Sequence, residues 1–371
     1  MIYLDCAATS FQKPESVHRA VAKALKTMSS PGRGSYQYAM RAADTVFDCR
    51  SALAELFHVP TPENVVFTCN ATHALNIAIN SLVSAGDKVV ISGYEHNAVT
   101  RPLHAIGADV HIAASELFDP EAAIAAFARE LPGAKAAVCC HVSNVFGYIL
   151  PVERIAALCR TEGVPLIIDA SQSAGSIPID FTALGAAFAA MPGHKGLLGP
   201  QGTGVLLCAA EAKPFLFGGT GSESASPTMP AYLPDQLEAG THNVPGIAGL
   251  LAGTQWVNEM GPQRILEHER RVSELFLDRI SGVPNVQVYR AKRSYVQTGV
   301  ISVRIEGLDC EMAAQRLSEA GICVRSGLHC APTAHRTVGT IDTGTIRFSI
   351  SPFNTEHEIN RASMIFREIV R

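Results

Sequence analysis

Three short segments hold residues whose types and spacing could do chemistry together. Lys195 lies in a glycine-rich loop, Met191-Pro192-Gly193-His194-Lys195-Gly196-Leu197-Leu198-Gly199-Pro200. It follows by 26 residues an aspartate, Asp169, that ends the apolar run Val164-Pro165-Leu166-Ile167-Ile168-Asp169. Near the C-terminus, Arg325-Ser326-Gly327-Leu328-His329-Cys330-Ala331-Pro332 sets a thiol beside a histidine. A lysine amine holds an aldehyde cofactor as a Schiff base, and an aspartate keeps a pyridine nitrogen protonated so that the ring draws electrons. A late cysteine adds a nucleophile. The three together point to pyridoxal phosphate (PLP) chemistry with a thiol acceptor.

Each residue also has a plainer reading. Asp169 stands where ligand crevices of open α/β sheets form, yet an aspartate there equally caps the next helix. Gln172, three positions on, could reach the phenolic oxygen of the cofactor. A loop lysine is usually a solvated charge. Gly193, Gly196, Gly199, Gly202 and Gly204 shift that weighting, because five glycines in twelve positions permit unusual turns and close approach of a bulky ligand. For Cys330 the thiolate would be the nucleophile, and the nearby Arg325 and His329 could lower its pKa.

Further residues extend the set. Thr68-Cys69-Asn70-Ala71-Thr72-His73 runs from a strand into a helix, where the N–H groups around Ala71 and Thr72 could hold a phosphate. A capping turn without a ligand would look the same. The ring of His96 could stack on a planar cofactor, although a lone histidine is more often structural. Asn144 lies at a further strand end and could bridge cofactor and substrate. Arg347 interrupts the apolar strand Thr345-Ile346-Arg347-Phe348-Ser349. Burying an arginine is costly unless it meets an anion; a substrate carboxylate suits its fork, and a structural ion pair is the alternative.

The elements that must position these residues are legible in outline. Strand-length apolar runs occur at 64–68, 88–92, 136–140, 165–169 and 204–208, with helical patterns between them at 71–79 and 152–158. Continuous apolar strands separated by helices predict an α/β fold with a mostly parallel sheet covered on both faces. After Pro245 one long helical region is expected through Trp256 and His268 to about Ile280. Strands are expected at 296–304, 321–325 and 345–350. The last helix should begin near Thr355 with Glu358 completing a capping box. This second region reads as α+β.

Composition narrows the function classes. With 371 residues, 47% of them hydrophobic, the chain is long enough for two domains. A net charge of −4 gives no basic field for nucleic acid or an anionic membrane. No apolar run approaches the roughly 18 residues needed to span a bilayer. The start, Met1-Ile2-Tyr3-Leu4-Asp5-Cys6, is unlike a signal peptide, so a cytoplasmic protein is expected. Most of the ten cysteines sit among aliphatics and read as small buried hydrophobes. No Cys-x-x-Cys pair occurs, so neither structural zinc nor a redox dithiol is expected, and no metal.

In this order the residues resemble the class V aminotransferase-fold PLP enzymes, and within them the cysteine desulfurases. Tyr3-Leu4-Asp5-Cys6-Ala7-Ala8-Thr9, Glu95-His96-Asn97, Ser143-Asn144-Val145, Asp169-Ala170-Ser171-Gln172, Gly193-His194-Lys195 and Glu238-Ala239-Gly240-Thr241-His242-Asn243 carry the likeness, which covers essentially the whole chain. Arg325 to Cys330 is similar to the compact loop of group II, the selenocysteine-lyase-like branch. The resemblance implies the type I transferase fold: a large domain over residues 14–250 with a mostly parallel seven-stranded sheet, and a smaller α+β domain over 251–371 joined by segment 1–13. It implies Lys195 as the Schiff-base residue, Asp169 on the pyridine nitrogen, Gln172 on the phenolic oxygen and His96 stacked on the ring. Ala71, Thr72 and His194 would hold the phosphate, with Thr241 arriving from the other subunit of a homodimer. Asn144, Arg325 and Arg347 would contact the substrate, and Cys330 would take its sulfur.

The expected activity is therefore PLP-dependent desulfuration of L-cysteine to L-alanine, leaving a persulfide on Cys330. That sulfur would pass to a scaffold or carrier protein for iron–sulfur cluster or thio-cofactor synthesis. Selenocysteine lyase is the nearest rival, then another class V aminotransferase or lyase, then a non-catalytic protein of this fold. Three positions depart from the pattern. Pro192 replaces a phosphate-binding serine, Leu328 replaces a histidine near the thiol, and Gly32 replaces the histidine before the Arg33-Gly34 pair.

Overall fold

The computed structural model describes residues 1–32 and 34–370; Arg33, in the Arg-Gly pair singled out above, lies outside them. The chain opens with a short strand, β1 (Ile2–Tyr3). Seven strands then follow: β2 (Val65–Thr68), β3 (Lys88–Ser92), β4 (Asp109–Ala113), β5 (Ala136–Cys140), β6 (Leu166–Asp169), β7 (Phe188–Pro192) and β8 (Gly204–Cys208). They form one sheet in the order β2-β8-β7-β6-β5-β3-β4. Only β8 runs against its neighbours β2 and β7; the other pairs are parallel. The α/β class with a mostly parallel seven-stranded sheet is thus as expected.

The apolar runs become strands because helices cover both faces. Every residue of β2, β5, β6, β7 and β8 is buried, as required where neither face meets water. β4 lies at the edge and is half exposed, with a mixed pattern that gave no clear strand signal. β7 was also not anticipated, since its alanines Ala189 and Ala190 carry little β-propensity. Topology brings the carboxyl ends of β3, β5, β6 and β7 to one edge, which is where crevices of such sheets form.

A second, antiparallel sheet follows, built from β9 (Val286–Tyr289), β10 (Val300–Ile305), β12 (Arg325–Gly327) and β13 (Thr345–Ser349) in the order β12-β13-β10-β9. Between β10 and β12, β11 (Ile322–Cys323) pairs in parallel with β1. The expected strand at 321–325 is therefore two strands in two sheets. The pairing of β1 with β11 seats Ile2 and Leu4 in a core with Phe276, Phe348 and Phe366. The rings of Phe276 and Phe348 lie 4.7 Å apart; truncating either to alanine should cost about 3–5 kcal/mol.

The helical region after Pro245 is two helices, Val244–Met260 and Pro262–Ile280. Gly261 between them has φ of 82°, and Pro262 has no N–H to continue the ladder, so the apolar periodicity continues while the backbone breaks. The last helix, Glu356–Val370, starts at the expected box. Thr355 N–H donates to Glu358 Oε2 at 2.9 Å, and Glu358 N–H to Thr355 Oγ1 at 3.2 Å. Among the described residues no helix is long and apolar enough to cross a membrane.

Candidate active site

At the carboxyl edge of the large sheet a cleft of about 230 Å³ opens between β5, β6 and β7 on one side and β12 and β13 on the other. Every site residue named from the sequence lines it except Thr241. Residues from 71 to 347 are brought together because strand ends, loops and the second sheet converge there.

Lys195 sits immediately after β7 in a loop packed backbone against backbone on the turn at Ala174. A Cβ on Gly196 would collide with the Ala174 carbonyl oxygen, so glycine is required. Removal from water draws the Lys195 amine down to about 8; Arg347 and Arg325 push the same way, and Asp169 opposes them. A lysine near 8 is far readier to act as a free amine than a solvated one. Asp169 is buried at the end of β6, and its Oδ1 accepts from Ser171 N–H at 2.9 Å. It stays a turn residue lining the cleft and caps no helix, since the next helix, Phe181–Leu184, is capped by Asp180.

His96 caps the helix Asn97–Ile106, its Nδ1 accepting from Ala98 N–H at 3.0 Å. That bond assigns the proton to Nε2. Burial, opposed by Asp169 and aided by Lys195, lowers its pKa, which favours the neutral ring, and the residue lines the cleft. At the start of the helix Ala71–Leu82, Asn70 caps with its side chain accepting from His73 N–H at 2.9 Å. The N–H groups of Ala71 and Thr72 have no partner within such a helix, and both residues line the cleft. Gly204 lets β8 pass beneath this turn, since a Cβ there would lie 2.5 Å from the Asn70 carbonyl carbon.

Three expected contacts are engaged by other parts of the chain. Gln172 Nε2 donates to the Ala7 carbonyl at 2.9 Å. His194 Nδ1 lies 3.0 Å from Thr9 Oγ1, and burial lowers its pKa to about 4, leaving it neutral. Asn144 Nδ2 donates to the His329 carbonyl at 2.8 Å, tying the thiol loop to the end of β5. Each keeps further hydrogen-bonding capacity, since an amide has two N–H groups and a carbonyl, and an imidazole a second nitrogen.

Cys330 is exposed at the rim of the cleft. It and His329 have φ of 56° and 50°, two consecutive non-glycine residues in the left-handed region. Such backbone is costly and persists only where surroundings over-determine it. Here Asn97 N–H donates to the Cys330 carbonyl at 2.8 Å, beside the Asn144 bond. The expectation that His329 assists the thiolate is not met. His329 is buried, its Nε2 is 3.1 Å from Thr345 Oγ1, and burial together with Arg347 pushes its pKa well below the usual imidazole value. A neutral ring supplies no positive charge; Arg325, Arg347 and Lys195 are the basic side chains that line the cleft with the thiol.

Arg347 is 2% exposed. Its Nη2 pairs with Asp5 Oδ1 at 2.7 Å and its Nη1 donates to the Asn144 carbonyl at 3.1 Å, while Nε is buried without a partner. The ion-pair reading of Arg347 therefore holds, with donors left over for a ligand. Two residues were not singled out beforehand. Asp5 has no local signal, because its partner is distant in sequence. Glu95 is buried beneath the cleft, accepting from Ser92 Oγ at 2.5 Å and Cys140 N–H at 2.7 Å, and burial raises its pKa to about 8. Cys139 and Cys140 are buried thiols held well above the usual range, as expected of cysteines among aliphatics. Thr241 is exposed, and the neighbouring Glu238 is anchored on Arg50, His242 and Phe67 N–H.

Known proteins share this architecture. Residues 2–362 match the family model for aminotransferase class V. A probable cysteine desulfurase of Methanothermobacter thermautotrophicus is 33% identical over 99% of this chain and 94% of its own. One of Vibrio cholerae is 30% identical over 97% of this chain and 91% of its own. The apo structure of a cysteine desulfurase from Thermococcus onnurineus superposes with a TM-score of 0.90 at 29% identity, covering 100% of this chain and 94% of that one. A cysteine desulfurase of Escherichia coli gives 0.86 at 25% identity over 99% and 94%. The chain belongs to the class V aminotransferase family, alongside the cysteine desulfurases it matches along its whole length.

Proposed function

We propose that this protein is a pyridoxal phosphate-dependent cysteine desulfurase. One observation supports it above others: the depressed amine of Lys195, the buried carboxylate of Asp169 and the exposed thiol of Cys330 face a single cleft. The donor set fits the cofactor. The unclaimed N–H groups of Ala71 and Thr72 would take its phosphate, with His194 beside them. Asp169 would hold the pyridine nitrogen, Gln172 the phenolic oxygen, and the neutral His96 ring would cover one face. When bound, the cofactor supplies an aldehyde for the substrate amine and a ring that takes up electrons released at Cα.

The chain's own residues do the rest. Arg325 and Arg347 draw the substrate carboxylate to the β12–β13 side and so orient its Cα toward Lys195. The Lys195 amine moves the Cα proton, a task suited to a group that titrates near working pH. Asn144 holds the thiol loop by the His329 carbonyl, keeping Cys330 Sγ over the cleft. The substrate C–S bond breaks and its sulfur bonds to Cys330 Sγ as a persulfide. The substrate carbon takes a proton and leaves as alanine. Exposure of Cys330 at the rim lets a cytoplasmic acceptor protein collect that sulfur.

The protein would act as a homodimer in which Thr241, exposed and outside its own cleft, completes the partner copy's phosphate site. Apolar side chains on the same molecule, Tyr38, Met40, Phe47 and Phe217, are exposed and suit burial against a second copy.

Cys330 tests the reading most directly. Cys330→Ala should retain cofactor, while alanine formation from L-cysteine falls by several orders of magnitude, as expected for loss of a covalent catalyst. Mass spectrometry after brief exposure of the native protein to L-cysteine should find one added sulfur on the Cys330 peptide. Added sulfur on Cys139, Cys140 or Cys323, or full activity in Cys330→Ala, would overturn the mechanism. L-selenocysteine assayed in parallel reports whether selenide release survives without the thiol.

A further inference from the structure

The N-terminal segment supplies a partner to three residues of the cleft. Asp5 pairs with Arg347 at 2.7 Å, the Ala7 carbonyl accepts from Gln172 at 2.9 Å, and Thr9 Oγ1 lies 3.0 Å from His194 Nδ1. Ala7 and Thr9 present neutral groups. Asp5 places a full carboxylate on the guanidinium read above as the anchor of the substrate carboxylate.

Its backbone is held at several points. Asp5 bridges to Ser349 on β13, its carbonyl accepts from Ala8 N–H at 3.0 Å and from Tyr3 Oη at 3.2 Å, and Ala7 N–H donates to Ser349 Oγ at 2.9 Å. The Asp5 side chain is 19% exposed and that of Arg347 2%, so the pair is poorly screened. A guanidinium has five N–H donors. Asp5 and the Asn144 carbonyl each take one, and Nε–H is buried with none taken. Donors therefore remain for a second carboxylate without displacing the first.

The charges then add simply. Arg325 and Arg347 contribute two positive charges to the cleft and Asp5 removes one. Lys195 and Asp169, which also line the cleft, are of opposite sign, so an incoming carboxylate still meets a net positive cleft and must approach another carboxylate on the same guanidinium. We propose that Asp5 is a specificity-determining residue that holds Arg347 in place and caps the affinity of the cleft for the substrate carboxylate. This rests on the reading of Arg347 as carboxylate anchor. Physically, loose binding of the ground state keeps interaction free energy available to the transition state rather than spending it on a tight complex.

The test is equilibrium binding, not turnover. The cofactor-loaded protein is titrated calorimetrically with L-alanine and with L-alaninamide, which lacks the negative charge. Asp5→Asn keeps the shape and a hydrogen-bond acceptor but removes the charge. It should tighten L-alanine about tenfold and leave L-alaninamide unchanged, the scale expected for removing one like charge at this range in partly screened surroundings. Asp5→Glu keeps the charge and should bind L-alanine like the native protein, which separates charge from mere disturbance of the segment. Arg347→Gln should abolish the preference for L-alanine over L-alaninamide. If Arg347→Gln does so while Asp5→Asn leaves L-alanine binding unchanged or weaker, Asp5 has no such role and the carboxylate site stands. If Arg347→Gln leaves the preference intact, the carboxylate reading of Arg347 fails and this inference with it.

Discussion

Arg325 and Arg347 stand directly opposite one another on the adjacent antiparallel strands β12 and β13. Like charges in that position are destabilising. One of them is met by Asp5, and no protein carboxylate meets the other among the described residues. A fold that keeps such a pair beside this cleft is suited to an anion there. That arrangement, more than the presence of either arginine, supports the proposed placement of a substrate carboxylate there.

Arg325→Ala should therefore raise KM for L-cysteine roughly ten- to hundredfold, the range for losing a charged hydrogen bond. The kcat should change much less, and thermal stability should hold or rise slightly as the repulsion is relieved. Steady-state kinetics and a melting curve check both. An unchanged KM would remove Arg325 from the site.

Borohydride treatment of the cofactor-loaded protein should bleach its visible absorbance and fix the cofactor to Lys195, as read by peptide mapping. Lys195→Ala should lose both the absorbance and the covalent attachment. Lys13 is the informative control, because burial lowers its pKa to about 8 as well. Its Nζ is held by Ser10 Oγ at 2.7 Å and the Ser10 carbonyl at 3.0 Å, outside the cleft lining. Label on Lys13 would defeat the assignment.

Glu95 gives the fold a pH dependence of known sign. Its folded pKa, about 8, is raised above the unfolded value by burial, against opposing hydrogen bonds from Ser92 and Cys140. The folded state then binds a proton that the unfolded state has lost. Stability from this group is full below the unfolded carboxyl value near 4.5 and is lost as pH rises toward 8. The slope is at most about 1.4 kcal/mol per pH unit. Glu95→Gln mimics the neutral acid and should flatten the decline across pH 5–8 in denaturant melts. His141 acts on the acid side. Burial lowers it to about 4, so it costs stability as pH falls through the ordinary imidazole range. A decline that Glu95→Gln leaves as steep as before would show that Glu95 is ionised in the fold.

Sedimentation should show a particle of about twice the 39.4 kDa chain mass, in keeping with the prevalence of two-fold homodimers. Thr241→Ala should weaken cofactor retention without unfolding the chain. In mixed dimers, a Thr241→Ala chain should impair the site on its partner and not its own. A monomer that holds cofactor and turns over L-cysteine would exclude Thr241.

The large sheet was legible because strands covered on both faces are continuous apolar runs, and β3, β5 and β8 fall on the residues where those runs lie. The capping box at Thr355 and Glu358 was legible because it is a local pattern satisfied within one turn. The break at Gly261 was missed because hydrophobic periodicity continues across it. The strand at β4 was missed because an edge strand has no strong pattern. Two strands were read as one at 321–325 because adjacent residues there join different sheets, and nothing local says so.

By itself the sequence determined the chemical inventory: an amine in a glycine loop, an aspartate at a strand end, a late thiol, two arginines, and the order in which they occur. Residue identity and short-range pattern are enough for that, since side-chain chemistry and strand or helix preference are properties of a few neighbouring residues. Only the tertiary structure decided how those groups are used. Asp5 meets Arg347 across 342 positions and Asn144 meets the His329 carbonyl across 185. His329 loses its charge because burial, not sequence, sets its protonation. Pairing and desolvation depend on which distant segments share a low-dielectric space, and that is settled only when the sheets close around the cleft.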